Sequence, residues 1–160
     1  MTVFFSGDEI VKLAVQTEET GYEFYKLAQE HAKSKKLKDL FQYLAEAERR
    51  HKETYQRLKD AIDESPQGVP IDWNELGLYI KAMTDSSFFL GADKSINVAG
   101  KAADEKEAVE FAVKFEKDTL LFFYQILDIV KTKNKSIVEN IIQEEKEHIK
   151  KLAEIKQGMH

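Results

Sequence analysis

Leu44-Ala-Glu-Ala-Glu-Arg-Arg-His51 aligns without a gap with Ile141-Ile-Gln-Glu-Glu-Lys-Glu-His148. In both stretches a Glu stands one helical turn before a His, Glu48 before His51 and Glu145 before His148, among apolar residues at helical spacing. A second pair of stretches matches in the same way, Val15-Gln-Thr-Glu-Glu-Thr-Gly-Tyr-Glu-Phe-Tyr25 with Val113-Lys-Phe-Glu-Lys-Asp-Thr-Leu-Leu-Phe-Phe123. Glu18 and Glu116 are 98 residues apart and Glu48 and Glu145 are 97 apart, so the chain repeats a helical hairpin.

Outward from these stretches the helical period continues. Ser6 followed by Glu9 fits a capping box, and Val11, Ala14, Val15, Tyr22, Tyr25 and Ala28 carry a first helix over about 7–33. Leu37, Leu40, Phe41, Leu44, Ala45, Tyr55, Leu58 and Ile62 predict a second over about 37–64, ending before Ser65-Pro66. Asp104 with Glu107 opens a third over about 105–130, and Val138, Ile141, Ile142, Ile149 and Leu152 mark a fourth over about 136–156. The basic cluster from Lys33 to Lys38 reads as a complement to the dipole at the end of the first helix. Residues 66–104 break the period, holding both prolines and four of the seven glycines, with Asp72 and Glu75 predicting a short capped helix inside this crossover. Four helices with one long middle connection predict an all-α, ferritin-like four-helix bundle, a single domain over residues 1–160.

The composition agrees with one soluble domain of 160 residues, 42% apolar and 33% charged, with a net charge of −5. The acidic balance argues against nucleic acid, whose phosphates call for clustered Lys and Arg. No apolar run reaches spanning length, and the start has no basic n-region or secretory apolar run, so the expectation is a cytoplasmic protein with no membrane role. With no cysteine, disulfides, thiolate zinc sites, iron–sulfur ligation and a Cys nucleophile are all excluded in this chain, and any metal must be held by His and carboxylates.

Which carboxylates point inward follows from the helical neighbours. Glu18 is surrounded by Val11, Ala14, Val15, Gly21, Tyr22 and Tyr25, whereas Glu19 lies among Lys12, Gln16, Glu23 and Lys26 on the solvated face. Glu116 repeats the situation among Val109, Ala112, Val113, Thr119, Leu120 and Phe123. An unpaired buried carboxylate costs several kcal/mol, so each calls for a compensating cation. One Glu-x-x-His alone is a weak signal. Two of them, each preceded by an isolated Glu on a core stripe, place four carboxylates and two imidazoles on four helices, the set described for bundle di-iron and di-manganese sites. Four glutamates cancel the charge of two divalent ions, and the Glu/His mixture suits iron or manganese better than a closed structural zinc site.

Glu18-Glu-Thr-Gly-Tyr-Glu-Phe-Tyr25, Glu48-Arg-Arg-His51, Glu116-Lys-Asp-Thr-Leu-Leu-Phe-Phe123 and Glu145-Lys-Glu-His148 resemble the rubrerythrin and erythrin branch of the ferritin-like superfamily. The resemblance covers the four long helices and leaves 66–104 mostly unaccounted for. It implies two iron ions, with manganese or a mixed iron–manganese pair as alternatives. Glu18 and Glu116 would be terminal carboxylates, Glu48 and Glu145 bridging ones, and His51 and His148 the imidazole ligands, with no catalytic residue beyond these. It further implies a peroxidase-type oxidoreductase acting on peroxide or dioxygen. Two departures stand out. Rubrerythrins carry a further Glu one turn after the third-helix ligand, where this chain has Thr119, and that carboxylate takes part in the iron movement of peroxide turnover. Full-length rubrerythrins also have a rubredoxin-like Cys-iron centre, so here a separate electron donor such as a rubredoxin is expected.

Tyr25 lies two turns from Glu18 on the same stripe, placed either to pack in the core or to hydrogen-bond a ligand carboxylate; the matching Phe123 has no hydroxyl. His31 is rotated off the ligand face and expected to be exposed, and His160 is terminal. Trp73, Phe88, Phe89 and Leu90 in the crossover are read as a homodimer contact. The alternatives are a ferroxidase or iron-handling protein, a di-manganese catalase-like protein, and a metal-free helical interaction module that tolerates its inward glutamates.

Overall fold

The computed structural model describes residues 7–62 and 104–159, together with Asp72, Glu75, Gly77, Leu78, Lys81 and Ala82. Four long helices run through these residues: α1 (Gly7–His31), α2 (Lys35–Arg57), α3 (Glu105–Ile129) and α4 (Lys135–Gln157). A 3-10 turn, Thr132–Asn134, precedes α4. The α1 backbone lies against α2 and that of α3 against α4, so each half is a tight antiparallel hairpin and the two hairpins meet chiefly through side chains. None of the described helices is long and apolar enough to cross a membrane. The ferritin-like four-helix reading of the sequence is the fold observed.

Local chemistry sets the helix ends. Asp104 accepts from the Glu107 N–H at 2.8 Å, the cap expected for α3. Ser34 caps α2 by accepting from the Leu37 N–H at 3.3 Å. The Lys33–Lys38 cluster corrects its sequence reading: Lys35, Lys36 and Lys38 lie in the first turn of α2, the end of a helix dipole that disfavours cations. The compensation comes from the other hairpin, where Glu105 Oε1 accepts from the backbone N–H of Lys33 at 2.6 Å and of Ser34 at 2.9 Å. Lys35 also pairs with Asp39 at 2.6 Å.

The second helix ends at Arg57, short of the expected residue 64. Leu58, Ala61 and Ile62 stay buried but in turns: the Leu58 N–H donates to Tyr55 O and the Ala61 N–H to Leu58 O, both at 2.9 Å. The next carbonyl is taken by the far hairpin, since Lys131 N–H donates to Ala61 O at 2.7 Å and Ile62 bridges Val130. Apolar spacing continues through this turn, which is why it reads as helix. In the crossover, Glu75, Gly77, Leu78, Lys81 and Ala82 have helical backbone and Glu75 N–H donates to Asp72 at 3.1 Å. Ser6, Trp73, Phe88, Phe89, Leu90 and His160, and with them the capping box and the homodimer contact, lie outside the described residues.

The core is divided. One apolar cluster gathers Ile10, Val11, Ala14, Tyr55, Phe122, Phe123, Ile126, Val138, Ile141 and Ile142; the other gathers Phe24, Tyr25, Leu37, Phe41, Leu44, Val109, Ala112 and Leu152. Burying each large apolar side chain contributes about 1.5–3 kcal/mol. That summed gain sustains what lies between the clusters, a layer of charged groups spanning all four helices.

Candidate metal centre

Each helix delivers its polar residues at the same height because each interrupts one apolar stripe. Glu18 follows Ala14 and precedes Phe24 and Tyr25; Glu116 follows Ala112 and precedes Phe122 and Phe123. Glu48 and His51 fall between Leu44 and Tyr55, and Glu145 and His148 between Ile142 and Leu152. All four glutamates and His148 are 0% exposed, and His51 is 3% exposed. Glu19 instead pairs with Lys52 at the surface, and His31 is exposed, its Nδ1–H donating locally to Leu27 O.

The six residues form two overlapping groups, Glu18, Glu48, His51 and Glu145 on one side and Glu48, Glu116, Glu145 and His148 on the other. Within each group one ligand atom per residue lies within 4.8 Å of all the others. Glu48 and Glu145 belong to both. His51 Nδ1 is 2.8 Å from Glu145 and 3.7 Å from Glu18. His148 Nδ1 is 3.0 Å from Glu145, 3.6 Å from Glu116 and 3.7 Å from Glu48. The two imidazoles stack with centroids 5.8 Å apart. Both Nδ1 atoms thus face the carboxylates, as ligand atoms must.

The electrostatics are those of a site short of positive charge. Burial, reinforced by neighbouring carboxylates, pushes Glu18 and Glu48 well above the usual carboxylate range and Glu116 up to about 7. Burial works against the charged imidazoles, yet Glu145 and its neighbours raise His51 to about 9, while Glu116 and Glu145 raise His148 to about 11. Glu145 resists its own burial through both imidazoles, which hold it well below the usual carboxylate range. The layer thus favours protons on its carboxylates and positive charge on its imidazoles, the electrostatic setting that a bound cation would also satisfy.

Of the two roles the sequence left open for Tyr25, the structure shows the hydrogen bond to a ligand carboxylate; the contacts of Glu144 and Gly21 were not legible as site features in the sequence. Tyr25 OH donates to Glu116 Oε1, on the helix opposite and not on its own stripe. Glu144, next to Glu145, receives His51 Nε2 at 3.0 Å. Gly21 supplies room: a Cβ there would stand 2.8 Å from Glu48 Oε2 and 2.9 Å from the Phe115 ring. The signal for Gly21 is a glycine in mid-helix one turn after Glu18, where Ala would ordinarily be favoured by about 1 kcal/mol. Here Gly21→Ala is expected to reverse that sign, lowering stability by about 1–3 kcal/mol through crowding, as urea unfolding of the metal-free protein would register. The aligned residue in the other half is Thr119, whose buried hydroxyl has no hydrogen-bond partner among the described residues.

The model of the rubrerythrin family matches residues 9–156. The chain belongs to the rubrerythrin family. Its fold is also that of a crystal structure at 2.30 Å described as a ferritin-like diiron-carboxylate protein of Thermotoga maritima, 26% identical, with 96% of each chain covered and a TM-score of 0.70. No curated protein matches it. For a rubrerythrin-family chain, the donor set fits a metal pair on its own chemistry. Five of the six residues, all but His148, leave a buried N or O atom that faces the others without a hydrogen-bond partner, including both oxygens of Glu18 and of Glu48. Buried polar atoms are rarely left so, and a cation among them removes the cost.

Proposed function

We propose that this rubrerythrin-family chain is a non-haem di-iron oxidoreductase that reduces hydrogen peroxide, with dioxygen as the alternative oxidant and electrons supplied by a separate donor protein such as a rubredoxin. The carrying observation is the overlap of the two buried groups at Glu48 and Glu145. Glu18 with His51 and Glu116 with His148 would each hold one ion, and the shared glutamates would span both. Bound ferrous ions would each supply one electron; peroxide consumes two electrons and two protons as its O–O bond breaks, leaving two waters.

The chain's own groups give this chemistry its setting. Four carboxylates balance the charge of two divalent ions, so the centre can sit between apolar clusters that keep bulk water out. Tyr25 orients Glu116 by its hydrogen bond. The absence of cysteine leaves this chain no iron–thiolate centre of its own, which is why the donor is assigned to another protein.

The reading is tested by loading the protein anaerobically with ferrous iron and following its oxidation by stopped flow. Peroxide is expected to oxidise the iron at least about tenfold faster than dioxygen, a difference of about 1.4 kcal/mol in barrier. Thr119, in place of a rubrerythrin carboxylate, favours the second reading, a ferroxidase, and a faster dioxygen reaction would establish it. Elemental analysis separates the rest: two manganese ions per chain would point to a catalase-like protein. Less than one metal ion per chain after reconstitution would return the bundle to a helical interaction module.

A further inference from the structure

We infer that the two metal positions are inequivalent, and that Glu144 makes the position held by Glu18 and His51 the tighter one. This rests on the di-metal reading above. The two halves align residue for residue around the histidines, yet they differ behind them. His51 Nε2 meets Glu144 Oε2 at 3.0 Å, and Arg50 Nη2 lies 3.6 Å from the same oxygen. The residue that aligns with Glu144 in the first half is Ala47, which is 0% exposed, and the one that aligns with Arg50 in the second half is Glu147. His148 Nε2 accordingly has no hydrogen-bond partner among the described residues, and its ring meets the edge of Tyr43, centroids 5.8 Å apart.

With an ion held on Nδ1, Nε2 of each imidazole would carry the ring N–H. A carboxylate accepting a hydrogen bond from that N–H locks the tautomer and the ring orientation and makes Nδ1 a stronger donor; losing such a partner typically costs 10–100-fold in metal affinity. Only His51 has it. Glu144 is a positioning residue: it touches no ion and acts through His51. Its side chain is 47% exposed, so replacing it leaves the core intact.

The test is an anaerobic titration of the metal-free full-length chain with Co2+, whose visible absorption reports coordination at each step. The wild type is expected to fill in two steps at least about tenfold apart. Glu144→Ala should weaken the first step about 10–100-fold and leave the second in place, and Glu144→Gln, which keeps a neutral acceptor, should fall between. Glu147→Ala, the neighbouring surface change, should leave both steps alone. Two equivalent steps in the wild type, a Glu144→Ala titration superimposable on it, or a variant in which both steps weaken alike would overturn the inference and leave the di-metal reading standing. A wild-type chain that takes up no metal would overturn both.

Discussion

Two equivalents of ferrous or manganous ion are expected to raise the thermal midpoint of the metal-free chain by about 10 °C or more. A ligand at a thousand times its dissociation constant adds about 4 kcal/mol, and for a domain of this size each kcal/mol moves the midpoint by about 2–4 °C. The gain has a pH dependence whose sign follows from the site. Burial raises Glu18, Glu48 and Glu116, the last to about 7, so the folded chain keeps protons that the unfolded chain has released above the ordinary carboxylate range. Glu116 alone would contribute on the order of 3 kcal/mol. His51 at about 9 and His148 at about 11 likewise stay protonated in the fold after the unfolded chain has lost those protons near its ordinary imidazole value.

All five groups therefore stabilise the metal-free fold most at low pH and lose that effect as pH rises through their folded values. Glu145, held low, acts in the opposite sense, but only in acid, below the ordinary carboxylate range. Between about pH 5.5 and pH 8.5 the metal-free midpoint should fall, and the increment from metal should grow, because ions displace the protons. Scanning calorimetry of chelated and loaded protein at the two pH values checks both; a metal-free midpoint that climbs with pH would count against this account of the layer.

The second large effect separates residues that composition treats alike. Glu145→Gln is expected to abolish uptake of both ions and to destabilise the metal-free chain by about 3–5 kcal/mol, because it strips the counter-charge from two buried imidazoliums. Glu18→Gln should remove about one ion and cost the metal-free chain far less stability, since burial pushes that carboxyl well above the usual carboxylate range and Gln keeps its shape. Elemental analysis with urea unfolding reads both quantities. Equal losses of metal and stability in the two variants would show that Glu145 is not shared.

Much of this was readable from residue order. A charge interrupting an apolar helical stripe has one physical meaning, burial, and Glu18 and Glu116 are both fully buried. Glu-x-x-His puts both side chains on one helix face, and the repeat of the hairpin puts both faces on one interior. What failed were contacts between elements distant in sequence. The end of α2 at Arg57 depends on Val130 and Lys131, and the corner at Lys33 and Ser34 depends on Glu105; for Tyr25 the kind of contact was foreseen but not that its partner is Glu116 across the bundle.

Residue order alone settled the four helices, the repeated hairpin and the six inward residues, because helical periodicity and the cost of burying charge are local properties of the chain. The family resemblance had named Glu48 and Glu145 as the shared pair; only the packed bundle decided that Gly21 makes room for Glu48, and that one imidazole has a carboxylate behind it while its twin has the Tyr43 ring. Those depend on how far apart and at what rotation two hairpins settle, and that is set by the interdigitation of side chains from both, which no periodicity within either one encodes.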